Sequence, residues 1–231
     1  MRSRTERVYT TLRDMIIYMA LEPGQAIREP EIMDRLHVGR TPVREALIRL
    51  SEDVLVQTYP QRGTYVTKID MDYVAQLMKM RNVLETELLA EYAREKPQLQ
   101  AQFQSNLAAL ELAVRSEDIV AYLKADAEFH SELFRLAGYP LIWKRLRRSH
   151  STRYRLLDLR TNRSELGRIW EEHRRILVCL EAGDVPGLRQ ILRLHHDPQS
   201  VRQKELMERY PDYFGTLEEE YAQSPDLIAI F

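Results

Sequence analysis

The sequence has few of the residues on which common enzyme motifs depend. It holds only eight glycines among 231 residues, and none of them belongs to a loop of the kind that cradles a phosphate or a dinucleotide. No serine, histidine and aspartate are arranged as a nucleophile with its base. The one cysteine, Cys179, lies in an apolar helical run, so we interpret it as a small buried hydrophobic residue rather than a nucleophile. These absences argue against an enzyme.

Long apolar runs and cysteine pairs are also missing. No run approaches the ~18 apolar residues that a transmembrane helix needs, and Met1–Arg4 is not followed by the apolar core of a signal peptide. A single cysteine cannot form an intrachain disulfide, which suits a reducing compartment. We therefore expect a cytoplasmic protein that does not associate with a membrane.

Two short amphipathic segments joined by a tight link lie in the N-terminal third of the chain. The first spans Glu29–Leu36, the link is His37–Gly39, and the second begins at Arg40. Two short helices joined by a turn of three or four residues are typical of a helix-turn-helix, whose second helix enters the DNA major groove. The pattern therefore predicts a DNA-binding unit.

The start of the second segment carries residues suited to that contact. Arg40 and Arg44 are four residues apart and share one helical face, and each guanidinium can bind guanine or phosphate through two hydrogen bonds. Thr41 is the predicted N-cap, with Pro42 at the first helical position. Taken alone, the arginine pair also fits a solvated helix face, because helix pairs with short turns are common in α-rich proteins.

A β-hairpin is predicted directly after these helices. Residues 55–59 and 64–68 are rich in β-branched and aromatic side chains, and Pro60–Gly63 between them has the composition of a turn. A helix-turn-helix followed by a hairpin indicates a winged helix. Arg62 and Gly63 at the tip of the wing would reach the minor groove or the DNA backbone.

Neither sign of charge is in excess. The net charge is −1, and residues 1–70 hold eleven basic and ten acidic residues. We expect weak nonspecific DNA binding, with affinity gained by dimerisation. The basic residues expected to share one face are Arg2, Arg4, Arg7, Arg40, Arg44, Arg49 and Arg62.

These segments resemble the GntR family of bacterial transcription regulators over residues 5–68. The resemblance rests on Gly39–Leu50, Pro60–Val66, Leu21–Gly24 and Ile27–Glu29. It implies that operator DNA is contacted by Arg40, Thr41, Arg44, Arg62 and Gly63, and we assign Arg49 to the same surface.

The chain departs from the family pattern at two positions. Gly39 stands where the family usually has a serine, so one phosphate contact is expected to be missing. Val54 stands where a glycine usually ends the recognition helix. Because a β-branched residue disfavours positive φ, we expect that helix end to be built differently.

Beyond Asp70 the sequence predicts an all-α bundle of about six helices. Apolar residues recur at three- and four-residue spacing near 71–96, 98–115, 118–137, 139–160, 163–182 and 184–209. The predicted fold class is therefore mainly α, with a winged helix over 1–69, a helical domain over 70–210 and a tail over 211–231. The acidic run Glu218–Glu220 is interpreted as solvated surface, in a mobile tail or a short final helix.

One group of residues in the bundle is suited to metal binding. Asp126 and His130 are four residues apart on one helical face, and His173 and His195 lie on two later helices. Side chains from facing helices can converge in a bundle core, and three imidazoles with a carboxylate suit Zn²⁺, Ni²⁺, Mn²⁺ or Fe²⁺. From spacing alone, the aspartate and histidine also fit a simple hydrogen-bonded pair.

Residues 73–200 resemble the FCD ligand-binding domain of the FadR-type branch of the same family. The resemblance implies a divalent metal held by Asp126, His130, His173 and His195, with a small carboxylate effector completing its coordination. It also implies that Arg81 faces the cavity and meets that carboxylate; the alternative is an i,i+4 salt bridge between Arg81 and Glu85. Further positive potential at the pocket is expected from Arg153 or Arg174.

We therefore expect a homodimeric transcription regulator, with repression as the expected direction. Its winged helix would bind a pseudo-palindromic operator, and its helical domain would sense a small organic acid or sugar acid through the metal. Two alternatives stay open. The metal site could serve an enzyme such as a hydrolase or a non-haem oxygenase, or the histidines could have lost their metal role and only pack.

Overall fold

The computed structural model describes residues 3–95, 97, 99–146, 151–196 and 200–218. The chain forms two compact units. The first comprises the chain up to Val74, Thr152–Tyr154 and the chain from Lys204 onward, and the second comprises Ala75–Ser151 and Arg155–Gln203. The predicted fold class, mainly α with a winged helix-turn-helix at the N-terminus, is confirmed.

The N-terminal part of the first unit, up to the end of the wing, is built from three helices and a small antiparallel sheet. The helices are α1 (Arg4–Ile17), α2 (Glu29–Leu36) and α3 (Arg40–Glu52). The strands are β1 (Ala26–Ile27), β2 (Val56–Tyr59) and β3 (Gly63–Val66), in the order β1-β3-β2. The hairpin of β2 and β3 is the predicted wing, whereas the two-residue strand β1 was not predicted.

The core of this unit follows the helical and strand periodicities of the sequence. On α1 the buried residues Val8, Leu12 and Ile16 recur every four residues and form one stripe. They pack in one cluster with residues of α3 and of the sheet, among them Leu50 and Val66. The helix-turn-helix and the wing therefore share a single core, which fixes the start of α3 relative to the wing.

Helix α3 begins two residues earlier than predicted. Its N-cap is Gly39, with extended backbone at φ −76° and ψ 176°, and Arg40 is already helical. The assignment of Thr41 as the N-cap was therefore wrong. Pro42 falls at the third helical position, where its missing N–H still costs nothing because the first backbone N–H groups of a helix have no intrahelical acceptor. Thr41 is left exposed on the first turn.

The end of α3 corrects a second expectation. Val54 adopts φ +59°, the left-handed conformation usually taken by glycine, so the helix end is not built differently. One local and one longer-range hydrogen bond hold it there: the Val54 N–H donates to the Ser51 carbonyl at 2.9 Å, and the Thr67 hydroxyl donates to the Val54 carbonyl at 2.8 Å.

The left-handed valine predicts that Val54→Gly stabilises the protein. Positive φ at a β-branched residue lowers the free energy of unfolding by roughly 1–2 kcal/mol, and glycine avoids this strain. Glycine also loses more backbone entropy on folding, which offsets part of the gain. We expect the free energy of unfolding in urea to rise by about 0.5–1 kcal/mol. Val38→Gly, at a half-buried valine without positive φ, should lower it. A Val54→Gly protein less stable than wild type would contradict the conclusion that the backbone of Val54 is strained.

The second unit is built from helices that pack side by side. Over the described residues the helices after the wing are α4 (Met71–Ala93), α5 (Gln100–Arg115), α6 (Ile119–Leu136), α7 (Pro140–Leu146), α8 (Ser151–Thr161), α9 (Glu165–Ala182), α10 (Val185–His195) and α11 (Ser200–Arg209). Helix α5 packs on α6 and α9, α10 packs on α9, and α7 packs on α6. The segments predicted as single helices over 139–160 and 184–209 each contain two helices. Helix α4 begins in the first unit and runs into the second.

The described part of the C-terminal segment belongs to the first unit. Pro211–Tyr213 forms a 3₁₀ turn, and Phe214 then pairs with Ile69 in a parallel bridge. The Ile69 N–H donates to the Tyr213 carbonyl at 2.8 Å, and the Leu217 N–H donates to Asp70 Oδ2 at 2.8 Å. Most of the acidic run, Glu219–Glu220, lies outside the described residues. Over the described residues, no helix is both long and apolar enough to cross a membrane.

Candidate metal centre and DNA-binding surface

Three helices of the second unit bring the four candidate metal ligands together. Asp126 and His130 lie one turn apart on α6, His173 lies on α9, and His195 is the last residue of α10. One ligand atom from each residue can be chosen so that all four lie within 4.8 Å of one another. The side chains of all four residues are almost completely buried.

The Nε2 atoms of the histidines face the centre of this group. Asp126 Oδ1 lies 3.2 Å from His173 Nε2 and 3.9 Å from His130 Nε2. His130 Nε2 lies 3.1 Å from His195 Nε2. The donor set is thus three imidazole nitrogens and one carboxylate oxygen.

The Nδ1 atom of each histidine is held by an acceptor on the outer side. His173 Nδ1 lies 2.8 Å from the Ile169 carbonyl oxygen, and His195 Nδ1 lies 3.1 Å from Glu172 Oε2. His130 Nδ1 is hydrogen-bonded to Glu85 Oε1. An acceptor at Nδ1 favours the tautomer with the proton on that nitrogen, which leaves the Nε2 lone pair available for a metal.

Two features of the centre fit a bound cation. With Nδ1 donating outward on both His130 and His195, two Nε2 lone pairs face each other across 3.1 Å, and a shared cation stabilises such an arrangement. The buried His173 Nε2 has no hydrogen-bond partner among the residues that the structure describes, and a metal ligand needs none. The residues present therefore fit a divalent metal of the nitrogen-preferring kind.

Arg155 holds the carboxylate of the centre. Its two terminal nitrogens donate to Asp126 Oδ2 and Oδ1 at 2.7 and 2.9 Å. Burial alone would raise the pKa of Asp126, but the positive charge of Arg155 and its hydrogen bonds hold that pKa well below its usual range. Burial would likewise raise the pKa of Glu85, and His130 and Arg81 hold it low. Both carboxylates are therefore ionised at neutral pH.

Two of the histidine ligands, His130 and His195, are neutral, as metal ligands must be. Burial lowers the pKa of His130 to about 3. Burial also lowers the pKa of His195 and of His196. No proton needs to leave these rings at pH 7 before a cation binds.

The lowered histidine pKa values predict acid sensitivity of the metal-free protein. Because the unfolded chain binds a proton near pH 6.5 and folded His130 does so only near pH 3, stability is full above pH 6.5 and decreases as the pH falls toward 3. His130 alone should remove about 1.4 kcal/mol of unfolding free energy between pH 7.5 and 5.5. Urea unfolding in a chelator measures this. An unfolding free energy that does not change between pH 7.5 and 5.5 would contradict the conclusion that His130 is buried in its neutral form.

Arg81 forms the salt bridge that was the alternative to an effector contact. Its Nε donates to Glu85 Oε2 at 3.2 Å, and its guanidinium lies 5.1 Å from the Trp143 ring centroid. Its buried Nη2 nevertheless has no hydrogen-bond partner among the described residues. One donor of Arg81 therefore remains available to an anion.

The two other arginines expected near the pocket lie elsewhere. Arg153 is fully buried in the first unit, and its Nη1 donates to the Thr67 carbonyl at 2.6 Å. Arg174 is half exposed and pairs with Glu171 at 3.0 Å. The expectation that either adds to the pocket is corrected: the nearby arginine is Arg155, which sequence reasoning did not single out.

Sequence reasoning also missed the roles of two residues around the ligands. Glu85 was considered only as a partner of Arg81, yet it also contacts His130 and, at 3.1 Å, His196. Glu172 orients His195. The sequence did offer a signal for Glu172. It directly precedes the predicted ligand His173 on α9, so its side chain can point to a neighbouring helix that carries another ligand.

Cys179 is partly buried in α9. Burial raises the pKa of its thiol. A raised pKa disfavours the thiolate, which is the nucleophilic form, and agrees with the interpretation of Cys179 as a packing residue.

The candidate DNA-binding residues of α3 lie at its exposed N-terminal end. The side chains of Arg40 and Arg44 are 64% and 61% exposed. Their Nε atoms lie 4.0 and 3.3 Å from Glu29 Oε2. On the wing, the Arg62 guanidinium lies over the Tyr59 ring, 5.6 Å from its centroid. These cations are held by weak, exposed contacts that a phosphate could replace.

Arg49 and Gly63 complete the predicted set. Arg49 is turned toward α1: its Nη1 donates to Glu6 Oε2 at 2.8 Å and its guanidinium stacks on Tyr9 at 4.0 Å. Gly63 adopts φ +100° at the start of β3, which a residue with a side chain rarely adopts. Gly63 therefore shapes the wing tip.

Comparison with known proteins agrees with this architecture. Residues 4–66 match the family model of the bacterial regulatory proteins of the gntR family, and residues 76–197 match the FCD domain. An uncharacterized HTH-type transcriptional regulator in an unstable DNA locus of Streptomyces ambofaciens is 33% identical over 197 residues, covering 83% of this chain and 82% of that protein. The HTH-type transcriptional repressor RspR of Escherichia coli K12 is 28% identical over 215 residues, covering 91% and 93%.

A solved structure shows the same fold. Escherichia coli McbR/YncC has a TM-score of 0.74 at 24% identity, over 91% of this chain and 100% of that chain. The predictions of a regulator and of no enzymatic activity are confirmed by the family and its members. This chain belongs to the GntR family of bacterial regulatory proteins, carries an FCD domain, and is a ligand-responsive DNA-binding transcription regulator.

Proposed function

We propose that this regulator is a homodimeric repressor whose FCD domain holds a divalent metal and senses a small organic acid or sugar acid. The observation that carries the proposal is the convergence of three histidine Nε2 atoms and one aspartate oxygen, with an acceptor on each Nδ1. Zn²⁺, Ni²⁺, Mn²⁺ and Fe²⁺ all suit this donor set.

The metal ligands would be Asp126, His130, His173 and His195. When bound there, the metal supplies a Lewis acid that can accept a carboxylate oxygen. Arg155 neutralises Asp126 and fixes its orientation, and Glu85 fixes the ring of His130. In the alternative, these histidines have lost their metal role and only pack. That alternative does not explain why the Nε2 lone pairs of His130 and His195 face each other across 3.1 Å.

The effector class follows from the cations near the metal. Arg81 keeps a buried Nη2 without a partner among the described residues, next to the ring of Trp143. A guanidinium with a free terminal nitrogen is suited to a carboxylate. A small organic acid would therefore coordinate the metal with one group and contact Arg81 with another.

DNA recognition is assigned to the start of α3 and to the wing. Arg40, Thr41 and Arg44 would enter the major groove, and Arg62 and Gly63 would contact the minor groove or the backbone. Repression is supported by the similarity to a repressor that spans nearly the whole chain. The protein would act on operator DNA in the bacterial cytoplasm.

Dimerisation is supported by the mode of DNA binding and by the surface of α4. A winged helix with little net positive charge gains affinity from two half-sites. On α4, Met80 and Val83 are 44% and 49% exposed and lie three residues apart, on one face. Such a pair could lie against a second copy of the chain.

Removal of the metal provides the test of this proposal. A ligand present at 100 times its Kd stabilises the folded state by about 2.7 kcal/mol, which corresponds to roughly 5–11 °C in Tm for a chain of this size. We expect one metal ion per chain by elemental analysis of protein purified without an affinity tag, and a Tm lower by that amount after chelation. Protein that holds no metal and shows no Tm change when Zn²⁺ or Ni²⁺ is added would refute the metal centre.

A further inference from the structure

A second cavity lies in the first unit, on the outer face of the wing sheet. Its volume is about 300 Å³. Val56 and Val66 point into the core, so by strand alternation Gln57 and its cross-strand partner Tyr65 point to the opposite face. The C-terminal segment at Phe214–Thr216 lies on the other side of the cavity. None of the metal ligands belongs to this unit.

The floor of the cavity holds a polar side chain whose hydrogen bonds are unmade. Gln57 lines the cavity and is only 1% exposed. Neither its Oε1 nor its Nε2 has a hydrogen-bond partner among the described residues. Buried side-chain amides in folded proteins are nearly always hydrogen-bonded, so an amide left in this state inside a cavity points to a ligand that supplies both an acceptor and a donor.

The positively charged residues that line the cavity favour an anionic ligand. Arg62 and Lys68 both line the cavity, and no aspartate or glutamate is among the described residues that line it. A carboxylate or phosphate placed between two such cations would be attracted by both.

The aromatic side chains that line the cavity favour a planar ligand. Tyr59 and Tyr65 contact each other edge to face, with ring centroids 5.7 Å apart, and Phe214 adds a third ring to the wall. Aromatic side chains bind the faces and edges of other rings. A volume of about 300 Å³ accommodates a single ring with its substituents.

We propose that this cavity binds a small aromatic hydroxycarboxylate. The ring of the ligand would lie among Tyr59, Tyr65 and Phe214, and its hydroxyl would bind the Gln57 amide. Its carboxylate would pair with Arg62 and Lys68. Since Arg62 is also a proposed DNA contact, the ligand and the operator compete for that guanidinium, and by linkage each lowers the affinity of the other. This last step rests on the proposed function, whereas the binding itself does not.

The test is calorimetric titration of the metal-free, full-length protein with benzoate, 3-hydroxybenzoate and 4-hydroxybenzoate, in the absence of DNA. We expect saturable binding, with a hydroxybenzoate tighter than benzoate, and about a tenfold or greater loss of affinity in Gln57→Leu. Because the side-chain amide of Gln57 has no hydrogen-bond partner among the described residues, Gln57→Leu should also keep or raise the Tm. Arg174→Ala, at a half-exposed side chain in the other unit that pairs with Glu171, should bind the probe as wild type does.

Four outcomes would overturn the proposal. They are no saturable binding of any of the three probes, binding that survives Gln57→Leu, binding that is lost in Arg174→Ala, and a Gln57→Leu protein with a lower Tm, which would mean that the amide is structural. The titration contains neither metal nor DNA. A negative titration would therefore not count against the proposed metal centre or the proposed operator contacts, and the absence of a metal or of operator binding would not count against this cavity.

Discussion

Arg44→Ala is expected to lower the affinity for specific operator DNA by about 100-fold or more, with the fold unchanged. A bidentate arginine contact to a base contributes about 1–3 kcal/mol of discrimination, and a dimer on a palindrome loses two of them. The side chain is 61% exposed and its one ion pair, to Glu29, spans 3.3 Å. Its removal should therefore leave the Tm within about a degree, because exposed ion pairs contribute little. Fluorescence anisotropy on operator DNA and thermal unfolding measure the two effects.

Two further variants separate recognition from charge. Glu29 faces both Arg40 and Arg44, so its carboxylate competes with DNA phosphate, and Glu29→Gln should raise operator affinity a few-fold. Arg28→Ala removes the same charge as Arg44→Ala from a side chain that is 74% exposed and paired with Glu31. It should weaken specific and nonspecific binding alike. An Arg44→Ala protein with unchanged operator affinity would remove α3 from the recognition surface.

The second large effect is expected in metal binding. His173→Ala should weaken metal affinity by on the order of 100-fold or more, since loss of an outer hydrogen-bond partner alone costs 10–100-fold. His173 is fully buried on α9 and contacts Asp126 Oδ1 through Nε2. Competition with a chromophoric chelator measures the Kd for Zn²⁺ and Ni²⁺.

His196 provides the matched control for that experiment. It follows His195 directly and is also buried, but its Nε2 lies 3.1 Å from Glu85 Oε2 and it is not part of the group of four ligands. His196→Gln should therefore change the metal Kd only a few-fold. Equal losses in His173→Ala and His196→Gln would mean that general disruption of the core, rather than loss of a ligand, explains the result.

The winged helix could be predicted from sequence because its determinants are local. The β-branched strands, the turn at Pro60–Gly63 and the short link after α2 are each encoded within a few residues. Strand β1 was missed because two residues carry no periodicity. Val54 was misjudged because long-range hydrogen bonds, such as that from Thr67, impose a conformation that its own side chain disfavours.

Prediction of the candidate site depended on different information. The spacing of Asp126 and His130 places them on one face of α6, a local consequence of helical geometry. Their approach to His173 and His195 depends on how α6, α9 and α10 pack, which spacing does not encode. The residue types made convergence in a bundle core one of two interpretations, and the family resemblance favoured it. Arg155, 29 residues from Asp126, was missed for the same reason.

Recognition of its own operator, with an affinity that depends on the metal in the FCD domain, is the part of the proposed function on which the rest depends. Anisotropy of labelled DNA from the intergenic region upstream of its gene, against scrambled DNA at the same salt, with metal-loaded and metal-free protein, tests it most directly. We expect preferential, salt-sensitive binding at two chains per site, with an affinity that differs between the two metal states. Equal affinity for both DNAs in both states would contradict it.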